Sequence, residues 1–267
     1  MSIVAAVLAV LALVRPLPNA HAHNDYLHAR PLLDALDHGF CSVEADIFRV
    51  GDELLVAHER ATLKPERTLR RLYLDPLRQR VRANGGRVYP NGPSLLLLID
   101  IKEAGEEVYA LLRPMLREYR EMLTEISEGK VREGAVTVVI SGDCPRAAIL
   151  ADSVRYAAID GRLTDLDSPL PAHAMPLISD SWFGKFRWLG IGSMPEEERA
   201  RLRAFVERAH AAGRRVRFWA TPHSEALWTE LLAAGVDLLN ADDLGRLKRF
   251  LDARPARRTK TDGGGTD

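Results

Sequence analysis

The chain has 267 residues, of which 46% are hydrophobic and 28% are charged. That length suits one α/β barrel of about 250 residues or two small domains, and the composition is ordinary for a globular enzyme. The 37 basic residues balance the 37 acidic ones, so the formal net charge is zero. Because no overall field attracts polyanions, we expect no nucleic-acid partner.

An uninterrupted apolar run occupies residues 3–14 near the N-terminus. It is too short to cross a bilayer as a helix, which takes about 20 residues, so we predict no stable membrane span. The run has the length of a signal-peptide core, although only the α-amino group supplies positive charge before it. We predict that residues 1–18 form a separate N-terminal segment, for which export and a cytoplasmic location stay equally open.

From residue 19 onward, short apolar strands alternate with amphipathic helices, the pattern of a parallel α/β fold. Strands are predicted at residues 20–23, 41–47, 94–101, 136–140, 154–158, 175–178, 215–220 and 236–239. Helices are predicted at residues 31–37, 69–82, 106–128, 195–211, 224–233 and 243–253, with no obvious helix after the fifth strand. Gly51-Asp52 predicts a hairpin turn that carries the chain back over the second strand.

Eight strands in this rhythm predict the α/β class and a single TIM-type (β/α)8 barrel over residues 19–253, with room for irregular connections. Residues 254–267 are rich in glycine and charge and predict a flexible tail.

Charged side chains gather where the second and third predicted strands end. Glu44 and Asp46 are two residues apart, so in a strand they share one face at a separation of about 7 Å. Asp100 and Lys102 share a face in the same way after a strongly apolar strand. The strand ends of such a barrel form the face that carries the active site, and buried charges need a partner, a metal or a substrate. The pattern therefore predicts a catalytic centre rather than structural ion pairs.

Three histidines accompany these carboxylates. His21 and His23 end the first predicted strand, and His58 follows the hairpin. Because the pKa of an imidazole lies near neutrality, such residues are suited to both accepting and donating a proton. They are our candidates for acid/base catalysis.

Arg162 and the basic cluster at residues 214–217 each have two possible interpretations. Arg162, in the segment after the fifth predicted strand, is a candidate to bind a phosphate through two parallel hydrogen bonds. A salt bridge with Asp165 or Asp167 is an equally compatible interpretation. The basic cluster at residues 214–217 predicts a solvated face, with substrate contact as the alternative.

Four segments together resemble the glycerophosphodiester phosphodiesterase branch of the superfamily that contains phosphatidylinositol-specific phospholipase C. They are His21-Ala22-His23-Asn24-Asp25-Tyr26, Ser42-Val43-Glu44-Ala45-Asp46, Leu55-Val56-Ala57-His58 and Leu98-Ile99-Asp100-Ile101-Lys102. The closest similarity is to members that open with an H-x-H-N-D-Y motif. Residues 218–221 and 235–242 resemble the last two strands of that family, so the resemblance runs from about residue 19 to about residue 250.

The resemblance implies a metal site. Glu44, Asp46 and Asp100 would match the acidic ligands of one divalent cation, and oxygen ligands favour Mg²⁺ or Ca²⁺. The chain departs from the better-known members by having Asp100 where they usually carry glutamate. It also lacks their H-R-G opening, so Ala22 or Asn24 stands where an arginine would hold phosphate, which makes Asn24 a candidate substrate contact.

The resemblance also implies roles for the other candidates. His58 would be one catalytic imidazole, and either His21 or His23 the other. Lys102 would face the phosphate, where it and the cation would stabilise the charge that grows during attack. Trp219 would match an aromatic residue near the substrate.

These observations predict a metal-dependent phosphoric diester hydrolase. Its substrate would be a small-molecule or lipid-derived diester of glycerol, inositol or lysophospholipid type, and hydrolysis and cyclisation both remain open. Because H-x-H also binds metal in amidohydrolases and histidinol-phosphatase-type phosphoesterases, a histidine-rich dinuclear hydrolase is one alternative. A barrel that binds a phosphate ligand without catalysis is the other. The sequence does not indicate which oligomeric state the protein has.

Overall fold

The structure is a computed structural model, and it describes residues 14–254. Within this range the strands are β1 (Leu17–Ala22), β2 (Phe40–Val50), β3 (Glu53–Val56), β4 (Leu95–Ile101), β5 (Glu125–Ser127), β6 (Lys130–Arg132), β7 (Val136–Gly142), β8 (Val154–Arg155), β9 (Ala157–Gly161), β10 (Leu177–Ser181), β11 (Arg215–Trp219) and β12 (Leu238–Ala241). The α-helices are α1 (Leu33–Asp37), α2 (Asp75–Ala83), α3 (Gly105–Arg117), α4 (Arg146–Ala151), α5 (Glu196–Ala211), α6 (Glu225–Ala234) and α7 (Leu244–Asp252). Most of the predicted N-terminal segment and of the predicted tail lies outside the described residues.

Eight parallel strands close into a barrel. Their order is β1, β2, β4, β7, β9, β10, β11 and β12, and β12 pairs back onto β1. β3 runs antiparallel to β2 after the turn at Gly51-Asp52, which confirms the predicted hairpin. The predicted TIM-type barrel is therefore confirmed, and strand β1 begins two residues before the predicted barrel boundary.

The barrel interior changes from apolar to polar along the strands. On β4, Leu96 and Leu98 face inward and belong to an interior cluster, whereas their neighbours pack into the layer between strands and helices. The interior cluster consists of Leu96, Leu98, Ile126, Val139, Ala158, Leu177 and Leu238. Asp100 is next in the same alternation, because successive inward residues are two apart. The apolar interior therefore gives way to charged side chains at the carboxyl ends of the strands.

The predicted helix over residues 106–128 was wrong after residue 117. Helix α3 ends at Arg117, and β5 pairs with β6 and β8 in a separate antiparallel sheet of three strands. Glu128 and Gly129 both have positive φ, at 51° and 74°, and join β5 to β6. Such a pair of residues makes the turn that tight hairpins favour, and this turn signal was overlooked.

The fifth and sixth barrel strands lie later in the chain than predicted. β9 covers residues 157–161 and β10 covers residues 177–181, while Val154 and Arg155 belong to the small sheet. Helix α4 precedes β9 and was not predicted. Asp160 and Ser179 are polar but lie inside strands, so the apolar pattern ended before the strands did. Arg162 consequently follows β9 directly.

Candidate active site

A cavity of about 310 Å³ lies at the carboxyl ends of the barrel strands. It is lined by His23, Asn24, Glu44, Asp46, His58, Asp100, Lys102, Ser141, Gly142, Arg162, Arg217 and Trp219. Nine of the ten predicted site residues are in this lining, and the exception is His21. A larger cavity of about 480 Å³, between the start of β1 and helices α6 and α7, contains none of them. The candidate chemistry therefore lies in the smaller cavity.

Glu44 is held by a buried arginine and a buried histidine. Arg217 Nη2 donates to Glu44 Oε2 at 2.5 Å, and His21 Nε2 lies 3.0 Å from the same oxygen. Arg217 Nε also donates to Asn240 Oδ1 at 2.7 Å. Burial alone would raise the pKa of Glu44, but the Arg217 charge and the His21 hydrogen bond outweigh burial and lower that pKa. Glu44 is therefore ionised and fixed in place at neutral pH.

His21 lies beneath the cavity rather than in its wall. Its side chain is fully buried, and Nδ1 is 2.6 Å from Ser42 Oγ. Burial, aided by the charge of Arg217, lowers the pKa of His21 to about 3. The imidazole is therefore neutral and engaged at both nitrogens, and of the two histidines in the H-x-H motif only His23 lines the cavity.

Asp46 and Asp100 share one lysine. Lys102 Nζ donates to Asp46 Oδ2 at 3.0 Å and lies 3.4 Å from Asp100 Oδ1. Burial and the charge of Glu44 raise the pKa of Asp46, and burial and the charge of Asp46 raise that of Asp100. For Lys102, burial would lower the pKa, but the two aspartates outweigh it and raise the pKa. Lys102 is therefore a charged group beside both carboxylates.

Tyr26, which was not predicted as a site residue, lies among these groups. Its hydroxyl is 2.7 Å from Asp46 Oδ2, 2.6 Å from Asn24 Oδ1 and 3.0 Å from His58 Nδ1. His58 Nδ1 is itself 3.2 Å from Asp46 Oδ2. Because a hydroxyl donates one hydrogen bond at a time, Tyr26 can donate to Asp46 or to Asn24 but not to both, and it can accept from His58 Nδ1 when that nitrogen carries the proton. The place of Tyr26 in the H-x-H-N-D-Y motif and its aromatic character were the available signals.

His23 is paired with a carboxylate that directly follows the last barrel strand. Its Nδ1 lies 2.9 Å from Asp242 Oδ1, and His223 Nε2 is 3.3 Å from Asp242 Oδ2. Burial would raise the pKa of Asp242, but its hydrogen bond to His23 and the charge of that ring outweigh burial and lower it. This pairing arises because β12 pairs with β1 and closes the barrel, which brings together residues that are far apart in the sequence.

Two arginine predictions have definite outcomes. Arg217 is only 3% exposed, so the predicted solvated face was wrong at this position. Its spacing of two residues from Trp219 within one strand could have placed it in the cavity wall. The side chain of Arg162 pairs with Asp160 at 2.8 Å, whereas Asp165 accepts hydrogen bonds from Arg146 at 3.0 and 2.8 Å.

The three predicted metal ligands line one cavity but do not form a complete coordination site. Within residues 14–254, no three Asp, Glu, His or Cys side chains are arranged to hold a metal ion. Arg217 contacts Glu44, and Lys102 contacts both Asp46 and Asp100. Asp46 Oδ1 is nevertheless buried with no hydrogen-bond partner in the described part of the chain. A set of carboxylates with an unsatisfied buried oxygen fits a hard divalent cation.

Helices long and apolar enough to cross a membrane are not found among residues 14–254.

Comparison with known sequences finds two phosphodiesterase family models that match separate parts of the chain. The AIM6-like phosphodiesterase domain matches residues 9–159, and the glycerophosphoryl diester phosphodiesterase family matches residues 215–245. Altered inheritance of mitochondria protein 6 of Eremothecium gossypii is 32% identical over 281 residues, covering 91% of this chain and 72% of that protein. Its homolog in Arthroderma benhamiae is 31% identical over 265 residues, covering 88% and 84%.

Solved structures show the same fold at low sequence identity. A glycerophosphodiester phosphodiesterase from Agrobacterium tumefaciens superposes with a TM-score of 0.51 at 17% identity, covering 87% of this chain and 99% of that one. A calcium-dependent phosphoinositol-specific phospholipase C from a Pseudomonas species gives 0.55 at 12% identity, covering 87% and 89%. The resemblance found in the sequence is thus confirmed, and the chain belongs to the AIM6-like phosphodiesterase family.

Proposed function

We propose that the protein is a divalent-cation-dependent phosphoric diester hydrolase that uses histidine acid/base catalysis. One observation carries the proposal: two histidines, three carboxylates and three cationic side chains line a single cavity of about 310 Å³. The cations would bind an anionic diester, and the histidines would exchange protons with it. Membership of a phosphodiesterase family supports the same reaction type.

Glu44, Asp46 and Asp100 would hold the cation, Mg²⁺ or Ca²⁺. When bound, the ion would stabilise the negative charge that develops on the phosphate oxygens. Asp46 supports this assignment because its Oδ1 is buried and lacks a partner among the described residues. The calcium dependence stated for the Pseudomonas phospholipase C makes Ca²⁺ a necessary arm of any test.

His23 and His58 are the acid/base pair in this proposal. Each has a carboxylate near Nδ1: Asp242 Oδ1 at 2.9 Å for His23, and Asp46 Oδ2 at 3.2 Å for His58. A carboxylate in that position favours a proton on Nδ1 and leaves Nε2 to accept or donate one. One ring would deprotonate the attacking water or hydroxyl, and the other would protonate the leaving alkoxide. Each transfer is typically worth about 10² to 10⁴ in rate.

The substrate would be a diester of glycerol, inositol or lysophospholipid type. Lys102 would face the phosphate, and Asn24 and Arg162 would supply further polar contacts from the cavity wall. Trp219 lines the cavity but is 38% exposed, so its ring can pack against the organic part of a substrate at the cavity mouth. The names of the structurally similar proteins, a glycerophosphodiester phosphodiesterase and a phosphoinositol-specific phospholipase C, support these classes.

The test is a screen of phosphodiesters and phosphomonoesters with added Mg²⁺ or Ca²⁺, each repeated with a chelator. We expect diester turnover that the chelator abolishes and the cation restores. Zinc-dependent cleavage of an amide or a monoester, with no diester turnover, would favour the histidine-rich dinuclear hydrolase instead. Saturable phosphate binding without turnover of any ester would favour the non-catalytic barrel.

Variants assign the roles. Asp46→Asn should abolish turnover and weaken cation binding, whereas His58→Ala should abolish turnover while cation binding, measured by calorimetry, is retained. Asp167→Asn is the matched control, because this exposed carboxylate lies outside the cavity and, among residues 14–254, pairs only with Arg208. Full turnover in Asp46→Asn would remove the proposal.

A further inference from the structure

A second buried polar network lies in the cavity wall, and the proposed reaction uses only its Arg162. Asp160 Oδ2 accepts hydrogen bonds from Ser141 Oγ at 2.8 Å, from Arg162 Nη1 at 2.8 Å and from Ser179 Oγ. Asp160 is 1% exposed, and burial raises its pKa. The two serines come from β7 and β10, the strands on either side of β9. Three adjacent strands thus converge on one carboxylate.

The network holds one edge of the Arg162 guanidinium and leaves the other edge available. Nη1 donates to Asp160 and lies 3.1 Å from the Gly161 carbonyl oxygen, and Nη2 donates to Ser141 Oγ at 3.2 Å. Of the five N–H donors of a guanidinium, Nε–H and the second Nη2–H have no partner within residues 14–254. These two donors can be parallel, which is how arginine binds a phosphate at two points.

The main chain of Arg162 is fixed as well. Its backbone N–H donates to Asp165 Oδ2 at 2.8 Å, and Asp165 is paired in turn with both terminal nitrogens of Arg146. The side chain also lines the cavity. Because the main chain and the guanidinium of Arg162 are both held in place, the side chain loses little conformational freedom when it binds an anion, which favours affinity.

We propose that Asp160, with Ser141 and Ser179, is a positioning residue that fixes Arg162 so that its free edge binds two non-bridging oxygens of the substrate phosphodiester. This inference rests on the proposed function, since it assigns the phosphate subsite of that reaction. Asp160 itself does not touch substrate. Its charge holds the guanidinium, and the guanidinium compensates the charge of a carboxylate that would otherwise be buried alone.

The test measures binding of inorganic phosphate by calorimetry, which needs no turnover. Arg162→Gln and Asp160→Asn should each weaken phosphate affinity about 10- to 100-fold, the effect of losing charged hydrogen bonds. The double variant should be no weaker than Arg162→Gln alone, because both changes remove one subsite. In a diester assay, Asp160→Asn should raise KM more than it lowers kcat. Arg208→Gln, an exposed arginine outside the cavity, should change neither measurement.

An unchanged or increased phosphate affinity in Asp160→Asn would overturn the inference, because removing a negative charge next to a cation without disturbing its position strengthens anion binding. If Asp160→Asn does not fold by circular dichroism, Ser179→Ala takes its place. That variant removes only one hydrogen bond to Asp160 and should weaken phosphate affinity about threefold to tenfold. Unchanged affinity in Ser179→Ala would then overturn the inference.

The two proposals can fail separately. If the wild type binds phosphate with the expected variant pattern but hydrolyses no diester, the proposed reaction is wrong and the subsite stands as an anion site. If diesters are hydrolysed but Arg162→Gln binds phosphate as tightly as the wild type, the subsite is wrong and the reaction stands.

Discussion

Replacing Arg217 by methionine should destabilise the protein strongly, because it leaves a carboxylate buried without its cation. The side chains of Arg217 and Glu44 are 3% and 9% exposed, so water screens their ion pair very little. Removing one partner of such a pair costs about 3–5 kcal/mol of unfolding free energy. His21 compensates little, since burial is the largest cause of its lowered pKa and is retained in the variant, where it still disfavours a charged imidazole.

Thermal unfolding at pH 7 in the presence of a chelator measures the effect. At about 2–4 °C per kcal/mol for a domain of this size, Tm should fall by about 6–20 °C. Arg82→Met is the matched control: its pair with Glu121 has side chains 68% and 44% exposed, and such surface pairs contribute about 1 kcal/mol or less. Adding Glu44→Gln to Arg217→Met should restore part of the stability, because the uncompensated charge is gone. A single variant within 1 kcal/mol of wild type, or a double variant no more stable than the single one, would refute the reasoning.

Three further predictions concern the cavity and its support. Gly142 has φ +69°, and a Cβ there would lie 2.2 Å from the Ile101 carbonyl oxygen and 2.8 Å from Asp100 Oδ1, so Gly142→Ala should reduce both stability and turnover. Gly51→Ala, at φ +61° with open space around it, should show only the backbone strain, about 1–2 kcal/mol; turnover in Gly142→Ala equal to that in Gly51→Ala would contradict the predicted displacement of Asp100. Tyr26→Phe should lower kcat about tenfold while cation binding is retained, since one positioning hydrogen bond is lost; an unchanged kcat would show that the hydroxyl does not position the site. Burial raises the pKa of Asp25 to about 6 from 3.8, so its stabilising contribution is complete below about pH 4 and is lost as pH rises through about 6. At about 1.4 kcal/mol per pKa unit the loss is about 3 kcal/mol. Urea unfolding should therefore show the free energy of unfolding of Asp25→Asn, relative to wild type, rising by about 3 kcal/mol between pH 4 and pH 7. Parallel curves of stability against pH for the two proteins would refute the prediction.

Much of the site was predictable because strands obey a period of two. Glu44 and Asp46 share a face in any strand, and so do Asp100 and Lys102, so their arrival at one cavity followed once a parallel barrel was predicted. Where the strand pattern contained polar inward residues, as at Asp160, the prediction ended the strand too early. The strand before Glu128-Gly129 was missed for a different reason, because the spacing of Met122, Leu123 and Ile126 also suits a continuing helix.

The order of the amino acids was therefore sufficient for the fold class, the family and the residues at the strand ends, since these depend on local spacing. The burial of each side chain and the identity of its partner are decided only by the closed barrel. His23 meets Asp242 across 219 positions of chain, and Glu44 meets Arg217 across 173. Such contacts determine which imidazole lines the cavity and which carboxylate is already neutralised. Burial and charge compensation are properties of residues brought together in space, so no local pattern in the chain encodes them.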